Sequence, residues 1–391
     1  MVTPPTKNGL IQRSTLTPKL SKLETRSGFL CHAKTGQRAN CTNCNQMANP
    51  RRLFTRGFVY GLTTASALAY GYLQLSNEEE DIKPVPVDPK VKRASDILKY
   101  GIPDRGPTVR YYQNHVLSYD QARRTPLWVA EHINSQHIQG PANRKHSKFR
   151  PDPSVDPMFT AHNGDYWKSG WSRGHMAPAG DNKFDQEAMN DTFLLSNIVP
   201  QNLQNNAGFW NRFEMYCRDL TSRFEDVYVV SGPLYLPTQE DEQKVVKYPV
   251  IGESEVAVPT HLYKVVVAER FNTPTSIGAF IVPNQPIDFG PKLTDFQVPI
   301  EDLEKSSGLK FYPQLDRSKA KNLCEMDSCK LITQKEFELW IIGRKLQSAR
   351  TQERVEKVWK ELEEKKLKPD QYLVDLYAKK KVELAAKQSE E

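Results

Sequence analysis

The stretch WSRGHMAPAGDNKF, Trp171 to Phe184, decides how the rest of the chain is read. It is too polar for a core strand and too interrupted by Gly and Pro for a helix, so a strand end running into a loop is expected there. Loops mounted on a rigid scaffold are where catalytic side chains concentrate. A lone loop histidine is more often a turn or surface residue, so His175 takes its meaning from what surrounds it.

Downstream, NNAGFWNRFEMYCRDLTSRF reads as one helix, Asn205 to Phe224. Phe209, Phe213, Tyr216 and Leu220 recur at helical spacing and make an apolar stripe. Beside it, Asn206, Trp210, Glu214 and Arg218 form a second column at i, i+4 spacing. Such a column is ordinarily a solvated face. This one carries a tryptophan, and its amide, carboxylate and guanidinium also suit the wall of a site. Asp226–Leu236, His261–Arg270 and Ile277–Pro283 have the Val, Ile and Tyr richness of buried strands. Without a regular strand–helix alternation or a Gly-rich phosphate loop, the expected fold is α+β, a mainly antiparallel sheet flanked by helices.

The ends are organised differently. Of the chain's formal net charge of +7, all of the excess lies in residues 1–56, which hold ten Lys and Arg against Glu24 alone. Net charge therefore gives no argument for nucleic-acid binding by the body. Residues 1–56 read as a basic leader of transit-segment type, with Met47 as a second candidate start. Gly57 to Asn77 carries no charge and is about as long as a membrane-spanning helix, roughly 20 residues. A membrane anchor is the expectation; a cleaved signal and a buried helix are the rivals. Cys31-His32 and Cys41-x-x-Cys44 only partly match zinc spacing. Residues 78–93 form an acidic, Pro-rich linker, followed by a body at 94–318 and a charged helical appendage at 319–391. In the appendage, Lys335–Lys366 reads as one long helix before Pro369. Cys324 and Cys329 are either bridged or free. Phe337 and Arg344 lie two helical turns apart, as a packing ring with a solvated cation or as a pair acting on base and phosphate.

No Ser or Cys nucleophile sits in a recognisable elbow, and no His-Glu-x-x-His cluster is present to hold zinc. A hard cation such as Mg²⁺ keeps several waters and accepts one or two protein oxygens, which matches a sparse Asn/Glu site. A histidine can deprotonate water while arginines neutralise a phosphoryl group. These parts together suit metal-assisted phosphodiester hydrolysis.

The blocks SRGHMAPAGDNKF, NIVPQNLQNNAGFWNRFE and VVSGPLY resemble the signature of the non-specific DNA/RNA nucleases with a ββα-metal (His-Me) finger. Ser172 replaces that family's usual aspartate, and together with the appendage it makes the chain most similar to the mitochondrial exo/endonuclease G type. The resemblance implies His175 as general base, Asn206 as direct ligand of one hydrated Mg²⁺ or Mn²⁺, and Glu214 in that ion's water shell. It implies Arg218 and Asn197 as shaping residues and Arg173 as support for phosphate or loop. Arg144 and Lys183 would meet a terminal phosphate, and Phe337 and Arg344 a DNA end. The implied protein is a homodimeric 5′-exonuclease with endonuclease capacity, acting on DNA with RNA as a second substrate and leaving 5′-phosphates. It would serve mitochondrial DNA repair; the expected anchor, with its basic flank Arg51–Arg56 on the matrix side by the positive-inside tendency, would tether it to the inner membrane with its body in the intermembrane space. The alternatives are a broad-specificity endonuclease of cell death and a silent, membrane-tethered nucleic-acid binder.

Overall fold

The computed structural model describes residues 93–94 and 97–390. The basic leader, the Gly57–Asn77 stretch, the cysteines at 31, 41 and 44, and nearly all of the linker lie outside the described residues. Among the described residues no helix is long and apolar enough to cross a membrane. The chain divides at residue 99, and every element below belongs to the unit Tyr100–Glu391.

Strands β1 (Arg110–Tyr111), β2 (His115–Asp120), β3 (Thr125–Ile133) and β6 (Asp226–Leu234) continue into β11 (His261–Glu269), β12 (Ser276–Pro283) and β13 (Gln297–Val298). Hydrogen bonding runs in the order β1-β2-β3-β6-β11-β12-β13, antiparallel throughout, with β14 (Lys321–Asn322) joining β12 in parallel. Three long segments expected to be strands thus lie side by side in the sheet centre. Between β3 and β6 the chain leaves the sheet, forms the hairpin of β4 (Ser172–His175) and β5 (Ile198–Gln201), and enters the long helix. Two further hairpins, β7 (Thr238–Glu240) with β8 (Gln243–Val245) and β9 (Val250–Ile251) with β10 (Val256–Ala257), decorate the β6–β11 connection.

The helix lays its stripe on one sheet face: Phe209, Phe213, Tyr216 and Leu220 pack with Leu117, Val129, Val229, Leu262, Val266 and Phe280. On the other face Tyr263, Val265 and Ala279 pack with Leu303 of helix Ile300–Ser307 and with Phe311. With both faces covered, β11 is buried at every position from Leu262 to Ala268 rather than alternating. Each large side chain so buried contributes about 1.5–3 kcal/mol.

The long helix is not uniform. It runs as Leu203–Asn205, a π-turn Asn206–Trp210, and Asn211–Leu220. The expected single appendage helix is also divided, into Gln334–Ser348 and Gln352–Glu364. Ala349 adopts extended backbone, and the Thr351 hydroxyl accepts from the Arg354 amide to start the second helix. The third helix, Gln371–Glu390, follows Pro369, and the three share a core of Ile342, Leu346, Val355, Val358 and Leu362 with Leu373 and Leu384. Cys324 and Cys329 are bonded, and Cys217 is free and buried. Leu323 and Cys329 belong to the main core, so packing on the sheet continues past Ser318.

Candidate functional site

The β4–β5 hairpin presents His175 at its end, paired with Ile198. Gly174 is required one step earlier, because a Cβ there would lie 2.1 Å from Gln201 Oε1. Past His175 the chain turns sharply and Asn197 clamps it. Its Oδ1 accepts from the Ala177 amide at 2.9 Å, and its Nδ2 donates to Ala177 O at 2.9 Å and Thr192 O at 2.8 Å. The Asn197 carbonyl accepts from the Met176 amide at 3.0 Å. This fully buried amide fixes the loop that carries the histidine.

The His175 ring sits between Phe149 and Phe193, at centroid distances of 5.2 and 4.9 Å. Its Nε2 is sealed from solvent without a partner. Burial first, then Arg144, Arg173 and the ring of His115, push its pKa down to about 3, so the imidazole is neutral at physiological pH. Arg173 lies over the Phe149 ring at 4.5 Å and donates to Asn163 Oδ1 at 2.6 Å.

Facing the hairpin is the π-turn, a helix irregularity frequently found at functional sites. Asn206 opens it, and its Nδ2 donates to Ser172 Oγ at 3.0 Å, while that hydroxyl donates to Gln201 O at 2.8 Å. The serine in place of aspartate therefore ties β4, β5 and the helix together, and it leaves Oδ1 as the end of the Asn206 amide available to a cation. The π-turn also revises the expected column. Trp210 is fully buried, under Lys264 Nζ at 4.7 Å, rather than lining the edge with Asn206.

Behind the site lies a charge cluster that the sheet supplies. Arg218 donates to Asp181 Oδ1 at 2.6 Å, with Asp181 almost wholly buried. Burial alone would depress Arg218, yet Asp181 and Glu214 hold it above its ordinary value. Burial pushes Glu214 up to about 7, against the opposing pull of Lys264 and Arg218. Glu131, on β3, is raised well above the carboxylate range by burial and by Asp181. Lys264, on β11, is 1% exposed and donates to Ser231 Oγ at 2.7 Å. The Cα register places Lys264 opposite Ser231, and Glu131 opposite the neighbouring same-face residue Val229.

Arg144, Lys183 and Arg344 gather on the same side. Burial lowers Lys183, and Arg218 and Arg344 lower it further; Arg344 is lowered by burial and then by Arg144 and Arg218. Phe337 is placed differently. It is 6% exposed, packed against Phe289 and stacked on Trp340. To stack on a nucleobase it must leave that packing.

Sequence reasoning missed Lys264, Glu131, Asp181 and Phe149. The one available signal was a lysine and a glutamate inside otherwise apolar strands, since charged residues are almost never buried without a partner.

No three His, Cys, Asp or Glu residues cluster as a metal site among the described residues. That donor set does not fit zinc. An amide oxygen and a carboxylate carried on the same helical run suit a hydrated hard cation, for which few direct protein ligands suffice.

Several known proteins are similar to this chain. Residues 93–318 match the DNA/RNA non-specific endonuclease family, and residues 332–380 match the endo/exonuclease (EXOG) C-terminal domain. The chain is 54% identical over 346 residues to the Xenopus laevis protein named mitochondrial nuclease EXOG, covering 88% of this chain and 95% of that protein. It is 51% identical over 340 residues to the Homo sapiens protein of the same name, covering 86% and 92%. A crystal structure of an EndoG/EndoGI complex aligns with a TM-score of 0.54 and 42% identity, over 58% of this chain and 94% of that one.

Proposed function

Because the chain belongs to the DNA/RNA non-specific endonuclease family, we propose that it is a metal-dependent nuclease whose base is His175 and whose cation site is built on Asn206 and Glu214. The observation that carries the reading is the Ser172–Asn206 contact, which fixes the amide of the helix against the strand that ends in His175.

His175 enters neutral, and with Nε2 sealed, water meets the ring at Nδ1. A base near 3 is weak. A bound phosphodiester opposes the Arg144 and Arg173 charges that depress it, so substrate itself raises the ring's proton affinity. Phe149 and Phe193 fix the ring's plane and Asn197 fixes the turn that follows it, so the ring is held in place for attack in line with the leaving oxygen. Arg173, braced by Asn163, faces phosphate charge, and Arg218 is held by Asp181. Asn206 Oδ1 and Glu214 would hold a hydrated Mg²⁺ or Mn²⁺, which when bound neutralises charge on the leaving oxygen. The products are a 5′-phosphate and a 3′-hydroxyl.

The finer reading is a 5′-exonuclease with endonuclease capacity on DNA, with RNA as a second substrate. Its support is the cationic group Arg144, Lys183 and Arg344, suited to a terminal phosphate, beside a C-terminal region of the endo/exonuclease type. By analogy with the relatives' names, the setting is mitochondrial. An inner-membrane tether through Gly57–Asn77, a homodimer, a nuclease domain at 94–318 with an appendage at 319–391, and a role in mitochondrial DNA maintenance complete the proposal.

The test is cleavage of a 5′-labelled duplex and of closed circular plasmid by the full chain, with Mg²⁺ or EDTA, beside His175→Ala. Metal-dependent release of short 5′ fragments, lost in the variant, is expected. Plasmid nicking alone would favour a general endonuclease, and no cleavage with any divalent metal would leave only a binding protein.

A further inference from the structure

The turn that leads into β4 carries a side chain the mechanism does not use. Trp167 is 76% exposed, although its two predecessors are buried. Asp165 is fixed there, its carboxylate accepting from the His162 amide at 2.7 Å and the Ser254 amide at 3.0 Å, and Tyr166 packs with Leu195 and Ile198. The Trp167 amide donates to Gly164 O at 3.0 Å, and Ser169 Oγ donates to Tyr166 O at 3.0 Å. Lys168, at φ 55°, and Gly170, at φ 84°, bend the chain back into β4. An indole is thus held outward on a hydrogen-bonded pedestal, with Lys168 Nζ 5.9 Å from its ring centroid.

The pedestal is tied to the reaction centre. Asn163, at its base, accepts from Arg173 and donates through Nδ2 to Phe149 O at 2.8 Å, and the Phe149 ring touches His175. Phe149 lies in the basic run Arg144, Lys145, Lys148 and Arg150. A flat exposed ring beside cations matches a single-stranded nucleic acid, in which bases expose their faces and phosphates follow at regular intervals. In a blunt duplex every face except the outer one of the terminal pair is covered.

We propose that Trp167 and Lys168 form a stacking subsite for an unpaired nucleobase of the strand entering the active site. The inference rests on the nuclease reading and assigns to it two further substrate-contacting residues.

The test uses the full chain. In a His175→Ala background, which binds without cutting, fluorescence anisotropy measures affinity for a labelled single strand and for a blunt duplex of the same sequence. Adding Trp167→Ala should weaken single-strand binding about ten-fold, adding Trp167→Phe about two-fold, and duplex binding should barely change. Adding Lys168→Ala should lower the slope of log affinity against log salt by about 0.7 for the single strand. In the active chain, Trp167→Ala should raise KM on single strands and leave kcat in place. Equal losses on both substrates, a Trp167→Phe as weak as the alanine, or parent-like binding by Trp167→Ala would each overturn the subsite. If Trp167→Ala changes the oligomeric mass and not the affinity, the ring is a self-association contact and the inference is wrong. A parent that binds neither substrate overturns the nuclease reading as well. A parent that cuts beside an unaffected Trp167→Ala overturns the subsite alone.

Discussion

Replacing Ser172 with alanine tests how the proposed cation site is held together. Ser172 Oγ accepts from Asn206 Nδ2 at 3.0 Å and donates to Gln201 O at 2.8 Å, and the substitution removes both bonds. At a net value of about 0.5–1.5 kcal/mol each, stability should fall by about 1–3 kcal/mol. The larger effect concerns Asn206. Its Nδ2 would retain only Arg173 O, at 3.5 Å, and the amide would be free to turn Oδ1 away from the cation. Loss of such an orienting partner typically weakens metal binding about 10–100-fold. Calorimetric titration with Mn²⁺ measures that step without turnover, and denaturant unfolding in EDTA measures the stability change. Ser172→Asp separates the two bonds: a carboxylate still accepts from Asn206 but cannot donate to Gln201 O, so metal affinity should survive while stability drops. If Ser172→Ala binds Mn²⁺ as tightly as the parent, Asn206 is not oriented by this hydroxyl and the account of the site is wrong.

Asp181→Ala should be costly, because it strands the mostly buried Arg218 guanidinium; a loss of about 3–5 kcal/mol in denaturant midpoint analysis is expected, and less in Asp181→Asn. Gly174→Ala forces a Cβ against Gln201 and should lower stability by about 1–3 kcal/mol while displacing His175, seen as a fall in kcat with the metal dependence unchanged. Two groups make metal-free stability depend on pH with opposite signs. Native His175 takes its proton only near 3, whereas the unfolded residue does so near 6.5, so its contribution declines as pH falls through that window and is absent in His175→Phe. Native Glu214 keeps its proton up to about 7 and the unfolded residue only to about 4.5, so the parent loses stability as pH rises between them; Glu214→Gln should gain on it by up to about 3 kcal/mol by pH 8 in thermal unfolding.

The parts legible in the sequence are those with local causes. Val- and Ile-rich runs became the central strands β6, β11 and β12, and the Phe209–Leu220 stripe became the helix face on the core, because burial on a fixed period writes itself into consecutive residues. The disturbed phase at Asn206–Trp210 was not legible. A π-turn adds a residue to one turn without any composition of its own, so the i, i+4 column placed Trp210 beside Asn206 when it is in the core. The break at Ala349 was hidden similarly: Thr351 is a helix start only if the chain before it is already extended.

The charge cluster behind Glu214 was illegible for a deeper reason. Glu131 and Lys264 are 133 positions apart in the chain, and neither strand's pattern announces the other. Only the register joins them, since β6 stands between β3 and β11, with Ser231 opposite Lys264 and Val229 opposite Glu131. A buried lysine is tolerated when charge and hydrogen bonds surround it, and here these are the Ser231 hydroxyl, the Trp210 face and Glu214, which is part-ionised near neutral pH. If Lys264 serves mainly to set the charge of Glu214, Lys264→Met should raise the Glu214 titration further, because Lys264 is the largest influence opposing burial there. The midpoint of Mn²⁺ binding against pH should then move upward in Lys264→Met. A midpoint that stays where it is in the parent would make Lys264 a packing residue, with Arg218 alone answering the buried carboxylates.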